Sequence, residues 1–324
     1  MQRRLDDPTL ADQFTQHLGS LQRKAVLDQL TEVVPWGDLV QTLRGLDPPQ
    51  PKGGRPRWPL PLMLKALFVQ KLFNLSDPGL EDALRDSLAF RHFLGLSLTD
   101  AVPDETTFVR FRQSLRERGL DEALFTRGLA ALQQRGLVVQ TGSLVDATIL
   151  EAPRGRKVVE PDGTKRPTRD PEGSFTKKHG RTSFGFKAHV RSDRRGLITG
   201  THLSTAKDHD SIHCDDLVQR ERVAVIADSA YMSRDREDAL RKRGVIPGIV
   251  HRRVRGQAEL SEVDQCCNRI LASLRAPVEH VFARLKQRMG WRRVRYRGLE
   301  RNATDLRLMS LVHNFAHAAT LPPV

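Results

Sequence analysis

The apolar periodicity of this chain changes character at Gly142, and that change limits what it can fold into. Upstream, apolar residues recur at helical spacing. Downstream, short alternating or wholly apolar runs are separated by helical stretches. The upstream helices are predicted at Pro8–Leu18, Leu60–Phe73, Leu80–Asp86, Phe108–Arg118 and Asp121–Gln134, with a turn region at Phe90–Phe93. Asp7 caps the first, Pro8 takes its first position and Gly19 stops it; Asp104 caps the fourth. Lys52–Arg57 reads as a linker. Downstream, Ser143–Leu150, Ser183–Val190, Leu197–Leu203, Arg222–Ala227 and Val245–Val250 read as strands. Ser211–Arg220, Arg234–Arg243, Ser261–Met289 and Leu306–Ala319 read as helices, and 151–182 as a long basic surface loop. The expected fold class is mixed α+β, a helical domain over 1–140 followed by an α/β domain with a mixed sheet over 141–324.

Charge is just as unevenly placed. The 324 residues carry a formal net charge of +14. Residues 154–195 hold 13 Lys/Arg against 5 Asp/Glu, and residues 251–301 again hold 13 against 5. The remainder is slightly acidic, with 27 against 29. Such clustering points to a polyanion, foremost nucleic acid; a merely soluble basic surface is the plainer alternative. The first 153 residues hold 18 basic and 19 acidic residues, so a helical domain that reads DNA must do so through local arginines such as Arg110 and Arg112. No run of 18 apolar residues occurs, and no apolar segment follows Arg3 and Arg4, so neither a membrane span nor a secretory signal is expected. Three cysteines, Cys214, Cys266 and Cys267, fit neither a disulfide framework nor a cysteine zinc site, and a reducing compartment suits them.

Acids set into apolar elements carry the chemical signal. Asp146 lies inside Leu-Val-Asp-Ala-Thr-Ile, and Asp228 follows Val-Ala-Val-Ile-Ala at a strand's C-terminal end, where open α/β sheets gather ligands. A carboxylate there is costly unless paired, hydrogen-bonded or bound to a metal. Glu279 shares a helix face with Arg275 and Lys286, at offsets of −4 and +7. Pro277 marks a first turn or a kink. Together these residues suggest a divalent-cation site flanked by phosphate-binding cations. Each acid also has an ordinary reading: Asp146 bonded to a backbone amide, Asp228 as a cap, Glu279 as a helix pair with Arg275.

These residues resemble a known family, the DDE transposases of bacterial insertion sequences, in the InsH-like group. Arg275-x3-Glu279-x6-Lys286 is similar to the end of that family's Tyr-x2-Arg-x3-Glu-x6-Lys signature, with Ala272 at the Tyr position. Leu144–Thr148 and Ala227–Tyr231 resemble its two Asp motifs. Asp170–Lys178 resembles its Asp-Pro-acid segment, with Phe175 where Trp is usual, and Phe184–His189 its Gly-x-Lys-x-His strand. Pro59–Leu115 is similar to the N-terminal transposase domain. The resemblance implies a ribonuclease-H-like catalytic domain with Asp146, Asp228 and Glu279 as metal ligands. It implies Mg²⁺, with Mn²⁺ as substitute, and two-metal phosphoryl transfer: cleavage at element ends, then attack of the 3′-hydroxyl on target DNA. Arg275, Lys286, Lys187, His189, Lys177, Lys178, Arg292 and Arg293 are the expected DNA contacts. Lys187 and His189 are expected beside Asp146 if their strands pair. The partners implied are double-stranded DNA, both terminal inverted repeats and target, and a second copy in a dimeric synapse, in the bacterial cytoplasm at the nucleoid. An inactive DNA-binding derivative and a nuclease of the same core are the alternatives.

Asp208-His209-Asp210-x2-His213-Cys214 is dense in metal ligands but lacks a zinc spacing; a turn with Asp210 as N-cap is expected there. The resemblance implies that His209 approaches the acids. His313 and His317 read as packing residues, and Trp291 as a core anchor or a base-stacking residue.

Overall fold

The computed structural model describes residues 22–46, 57–155, 157–159, 163, 165–167, 170–178, 180–253 and 257–322. The predicted helix at Pro8–Leu18 and most of the predicted linker lie outside them. The chain divides into two compact units, residues 1–128 with 315–322, and residues 129–314 with 323–324.

The first unit is helical: α1 (Gln22–Val33), α2 (Trp36–Thr42), α3 (Leu60–Leu72), α4 (Asp77–Asp86), α5 (Leu88–Leu94), α6 (Glu105–Glu117) and the start of α7 (Leu120–Gln134). Helix α3 is buried on nearly every side, through Leu62, Met63, Leu64, Leu67, Phe68 and Val69, which explains its almost unbroken apolar sequence. Burial of each such side chain contributes about 1.5–3 kcal/mol. Ser76, Ser87 and Asp104 cap α4, α5 and α6 by accepting from Gly79, Phe90 and Thr107 amides. The turn expected at Phe90–Phe93 is instead the helix α5, stopped by Gly95 at φ 77°. Arg112 is no DNA reader here. It is buried, donating to Asp77 at 2.6 Å and Gln70 at 3.1 Å, while Gln70 donates to Asp77 at 2.6 Å. Arg110 is exposed.

The second unit is built on a mixed sheet. Its strands are β1 (Ser143–Glu151), β4 (Ser174–Lys178), β5 (Arg181–Ser192), β6 (Ile198–Thr205), β7 (Ala224–Ala227) and β8 (Ile246–Ile249), while β2 (Lys157–Val159) and β3 (Lys165–Pro167) form a separate hairpin. The order is β6-β5-β1-β7-β8, with β4 on the far half of β5's outer edge. Strands β6, β5 and β1 are antiparallel neighbours; β1, β7 and β8 are parallel. This is the ribonuclease-H-like arrangement. The region read as one long loop, 151–182, therefore contains three short strands, one of them part of the main sheet. Its Pro, Gly and basic content hid them, because β4 gains its pairing only from β5.

Helices α8 (Cys214–Val218) and α9 (Arg234–Lys242) cover one sheet face, where Val145, Val225, Ala227, Cys214, Tyr231 and Leu240 form a buried cluster. Helix α10 (Glu262–Gln287) covers the other through Val278, Val281, Phe282 and Leu285, and α11 (Leu299–Ala318) follows. Helix α8 is shorter than expected and its N-cap is His213, not Asp210. Pro277 lies well inside α10, neither in a first turn nor at an end. The carbonyl its missing N–H would have bonded belongs to Ser273, which is exposed to water. Gly185 is demanded by its surroundings: a Cβ there would stand 2.0 Å from the Leu150 carbonyl oxygen. Among the described residues, no helix is long and apolar enough to cross a membrane.

Candidate active site

The parallel register of β1 and β7 sets Val145 opposite Ala227, so one further step brings Asp146 beside Asp228. Both follow buried apolar residues at the carboxyl end of the parallel part of the sheet. Each carboxylate accepts from the next residue's amide, Asp146 from Ala147 at 2.8 Å and Asp228 from Ser229 at 2.5 Å. Asp228 thus does serve as a cap, of a single 3-10 turn over Ser229–Tyr231.

Arg275 of α10 spans the pair. One guanidinium nitrogen lies 3.5 Å from Asp146 Oδ2 and another 3.9 Å from Asp228 Oδ1. Its side chain is 13% exposed, and its buried Nε has no hydrogen-bond partner. Further along the helix, Lys286 Nζ donates to Thr148 Oγ1 on β1. Thr148 is two residues from Asp146 and so on the same sheet face. Arg275 and Lys286 thus anchor one helix face over the carboxylate strand. Glu279, four residues after Arg275, shares that face and is exposed. Among the described residues, no group of three or more His, Cys, Asp or Glu is drawn together closely enough to hold a metal. The structure therefore joins Asp146, Asp228 and Arg275 directly and leaves Glu279 one turn away.

The strand carrying Lys187 and His189 does pair with β1, but the pleat corrects the position expected for them. Asp146 is opposite Val190, whereas His189 is opposite Ala147 and Lys187 opposite Ile149, so both point away from the carboxylate face. Lys187 pairs with Asp210 at 2.7 Å and donates to the Asp208 carbonyl. His189 is fully buried against Ser204, and burial pushes its pKa down to about 3. His202 stacks on His213 with ring centroids 4.1 Å apart, and His213 Nε2 is 3.8 Å from Asp208. The ligand-dense Asp208–Cys214 segment thus serves this back face. His209 is exposed and hydrogen-bonded within its own turn. Burial pushes the Cys214 thiol up to about 11, which makes it unreactive.

The remaining expected cations lie farther along the sheet. Lys177 is exposed on β4, which Lys178 closes. Arg292 and Arg293 are exposed beside the end of β1, where the Arg292 carbonyl accepts from Glu151 N at 3.4 Å and Val294 N donates back to Glu151 at 3.0 Å. Trp291 is a core residue, 2% exposed, with its indole N–H on Asp305. His313 and His317 are likewise buried. Sequence reasoning missed the role of Asp170 and Glu172, which accept from the Gly298 and Leu299 amides ahead of α11. Two acids in a basic stretch were the available signal.

Two family models match the chain: one described as a transposase domain (DUF772) over residues 16–114, and one described as a transposase DDE domain over residues 139–315. Among solved structures, the chain is similar to the one titled "Crystal structure of the Mos1 Strand Transfer Complex", at 14% identity over 79% of this chain and 85% of that one. The TM-score is 0.20, too loose a superposition to build on.

Proposed function

The chain belongs to the DDE transposase family, and from that premise we propose that it cuts the ends of its own insertion sequence and joins the resulting 3′-hydroxyls to target DNA. The observation that carries this reading is the pair Asp146 and Asp228, set side by side on adjacent parallel strands and spanned by one guanidinium. Their side chains are 21% and 42% exposed, open enough to meet a phosphodiester. Hard carboxylate oxygens that already draw a cationic group to within 4 Å of each suit Mg²⁺, with Mn²⁺ as substitute. Asp146, Asp228 and Glu279 would hold it, Glu279 by its place on the helix face over the strand. When bound, divalent cations supply Lewis-acid stabilisation to the attacking and leaving oxygens of an in-line displacement.

The protein's own groups do the rest. Arg275, with an unpartnered Nε and long contacts to both aspartates, is poised to exchange carboxylate for phosphate. Lys286, held at Thr148, adds positive charge on the same face for the developing oxyanion. Double-stranded element ends and target DNA are the substrates, and two copies of the chain would bring both ends together at the nucleoid.

The test is metal-dependent cleavage and strand transfer on the protein's own element ends, identified as inverted repeats flanking the gene. Asp146→Asn, Asp228→Asn and Glu279→Gln should each reduce both steps by roughly a thousandfold. Undiminished cleavage by any of them removes that residue from the site. Hydrolysis without strand transfer would make the protein a nuclease, and duplex binding without either would make it an inactive derivative.

A further inference from the structure

The two basic windows, far apart in sequence, are stitched together at the end of β1 remote from Asp146. Glu151 exchanges backbone hydrogen bonds with Arg292 and Val294, at 3.4 and 3.0 Å. Asp170 and Glu172 clamp the basic insertion to Gly298 and Leu299, at 3.2 and 2.5 Å. Arg154 donates to the Thr182 carbonyl at 2.6 Å and lies over the Phe175 ring, 5.9 Å from its centroid, while Phe175 packs on Phe184.

Strand alternation decides which of these cations share a face with the carboxylates. Asp146, Thr148 and Leu150 face one way, with their partners Val190, Ala188 and Phe186. Continuing that alternation puts Phe184 and Thr182 on the same face, and with them their β4 partners Phe175 and Lys177. Arg292 belongs to it too: its Nε donates to the Lys286 carbonyl of α10, the helix lying on that face. Arg293 bridges with Glu151 on the other side, where Arg181 also pairs with Glu151 at 3.2 Å. Arg154, Lys177 and Arg292 are all exposed. Arg292 stands level with Glu151, five strand steps beyond Asp146, whereas Lys177 and the carbonyl that holds Arg154 stand level with Thr182, eight steps along β5 from Val190, the partner of Asp146; the offsets are about 16–27 Å. B-DNA rises about 3.4 Å per base pair, so those offsets are about five to eight base pairs.

We infer that Arg154, Lys177 and Arg292 form a phosphate track for duplex DNA, running from about five to about eight base pairs from the phosphodiester held at Asp146 and Asp228. The inference rests on the transposase reading for the identity of its ligand. Arg154 is held in place by the Thr182 carbonyl and the Phe175 ring. Asp170 and Glu172 are positioning residues, since their bonds fix the insertion against the segment that bears Arg292. Arg181 and Arg293 belong to the opposite face and are not part of the track.

The experiment is the salt dependence of binding by the full chain to a fluorescent duplex of about 30 base pairs of arbitrary sequence, in EDTA. Each phosphate contact contributes about 0.9 to the slope of log K against log salt, so Arg154→Gln/Lys177→Gln/Arg292→Gln should lower it by about 2.7. A control that removes three exposed cations on the α8–α9 side, Arg220→Gln/Arg234→Gln/Lys242→Gln, should lower it by less than about 1. Single variants, each expected to lose about 0.9, give the same reading if the triple variant does not fold. A wild-type slope in the track variants, or an equal drop in the control, overturns the track. Cleavage that persists in Asp146→Asn sinks the catalytic reading and leaves the slope comparison standing. Asp146-dependent cleavage with a slope indifferent to the track sinks only the track.

Discussion

Arg112 and Arg275 are both largely buried beside aspartates, yet their surroundings differ in kind. In the helical unit, Arg112 closes a triangle with Asp77 and Gln70 in which every contact is a hydrogen bond of 2.6–3.1 Å. In the sheet unit, Arg275 lies 3.5 and 3.9 Å from its two aspartates, with its Nε unpartnered. A satisfied network specifies one packing and resists change. A buried guanidinium held by charge alone remains available for another anion. The two sites therefore differ in the completeness of the arginine's hydrogen bonding, not in its depth, and that difference supports the functional role proposed for Arg275.

Variants at the two arginines should diverge accordingly. Arg112→Ala strands Asp77 in a mostly buried site and should cost about 3–5 kcal/mol of stability, read by urea unfolding. A loss under about 1 kcal/mol would mean that the triangle is not structural. Arg275→Ala should leave stability within about 1 kcal/mol of wild type, because Asp228 is substantially exposed, yet reduce strand transfer by about a hundredfold. If it instead unfolds the protein while sparing activity, the contrast drawn above is inverted.

The carboxylate face can also be set against the histidine-lined back face by pH. His189 has a folded pKa of about 3, against about 6.5 when unfolded, because burial disfavours its charged form; Asp210 opposes the shift, and His213, His202 and Lys187 add to it. The unfolded chain therefore binds the extra proton between these values, and stability falls as pH falls through 6.5 toward 3. Acidifying from pH 7 to pH 5 should cost about 2 kcal/mol, a loss that His189→Asn should largely abolish. Equal pH dependence in the variant would assign the effect elsewhere. The smallest expected change is at Arg127, whose pair with Asp38 is about half exposed on both sides; its removal should alter stability by under about 0.5 kcal/mol.

The sequence was most legible where local rules act alone. The cap at Asp104 and the strand carrying Asp146 need no partner to be recognised, whereas the short α5, stopped at Gly95, is not distinguished from a turn by its apolar pattern. The core sheet strands appeared within a few residues of their final bounds, because apolar runs flanked by glycine and charge announce burial. Acids set into apolar strands and the shared helix face of Arg275, Glu279 and Lys286 already suggest one site, and the family motifs reinforce that grouping. Strand β4 was invisible because its residues are polar and basic and become a strand only against β5. Arg112 was misread because a cation on an otherwise polar helix looks solvent-facing until Asp77 and Gln70 are folded over it.

Lys187 and His189 mark the boundary most clearly. By itself the sequence determined that their strand exists and that acids end or interrupt apolar strands elsewhere. Only the tertiary structure decided the register. A shift of one residue turns every side chain of a strand to the other face, and the pairing of Asp146 with Val190 rather than His189 sends the histidine into the back core. The same pairing, with the bridge from Glu151 to Arg293, gathers two distant basic segments along one strand. Composition fixes how much charge a chain carries; hydrogen bonds between distant backbones fix where that charge stands.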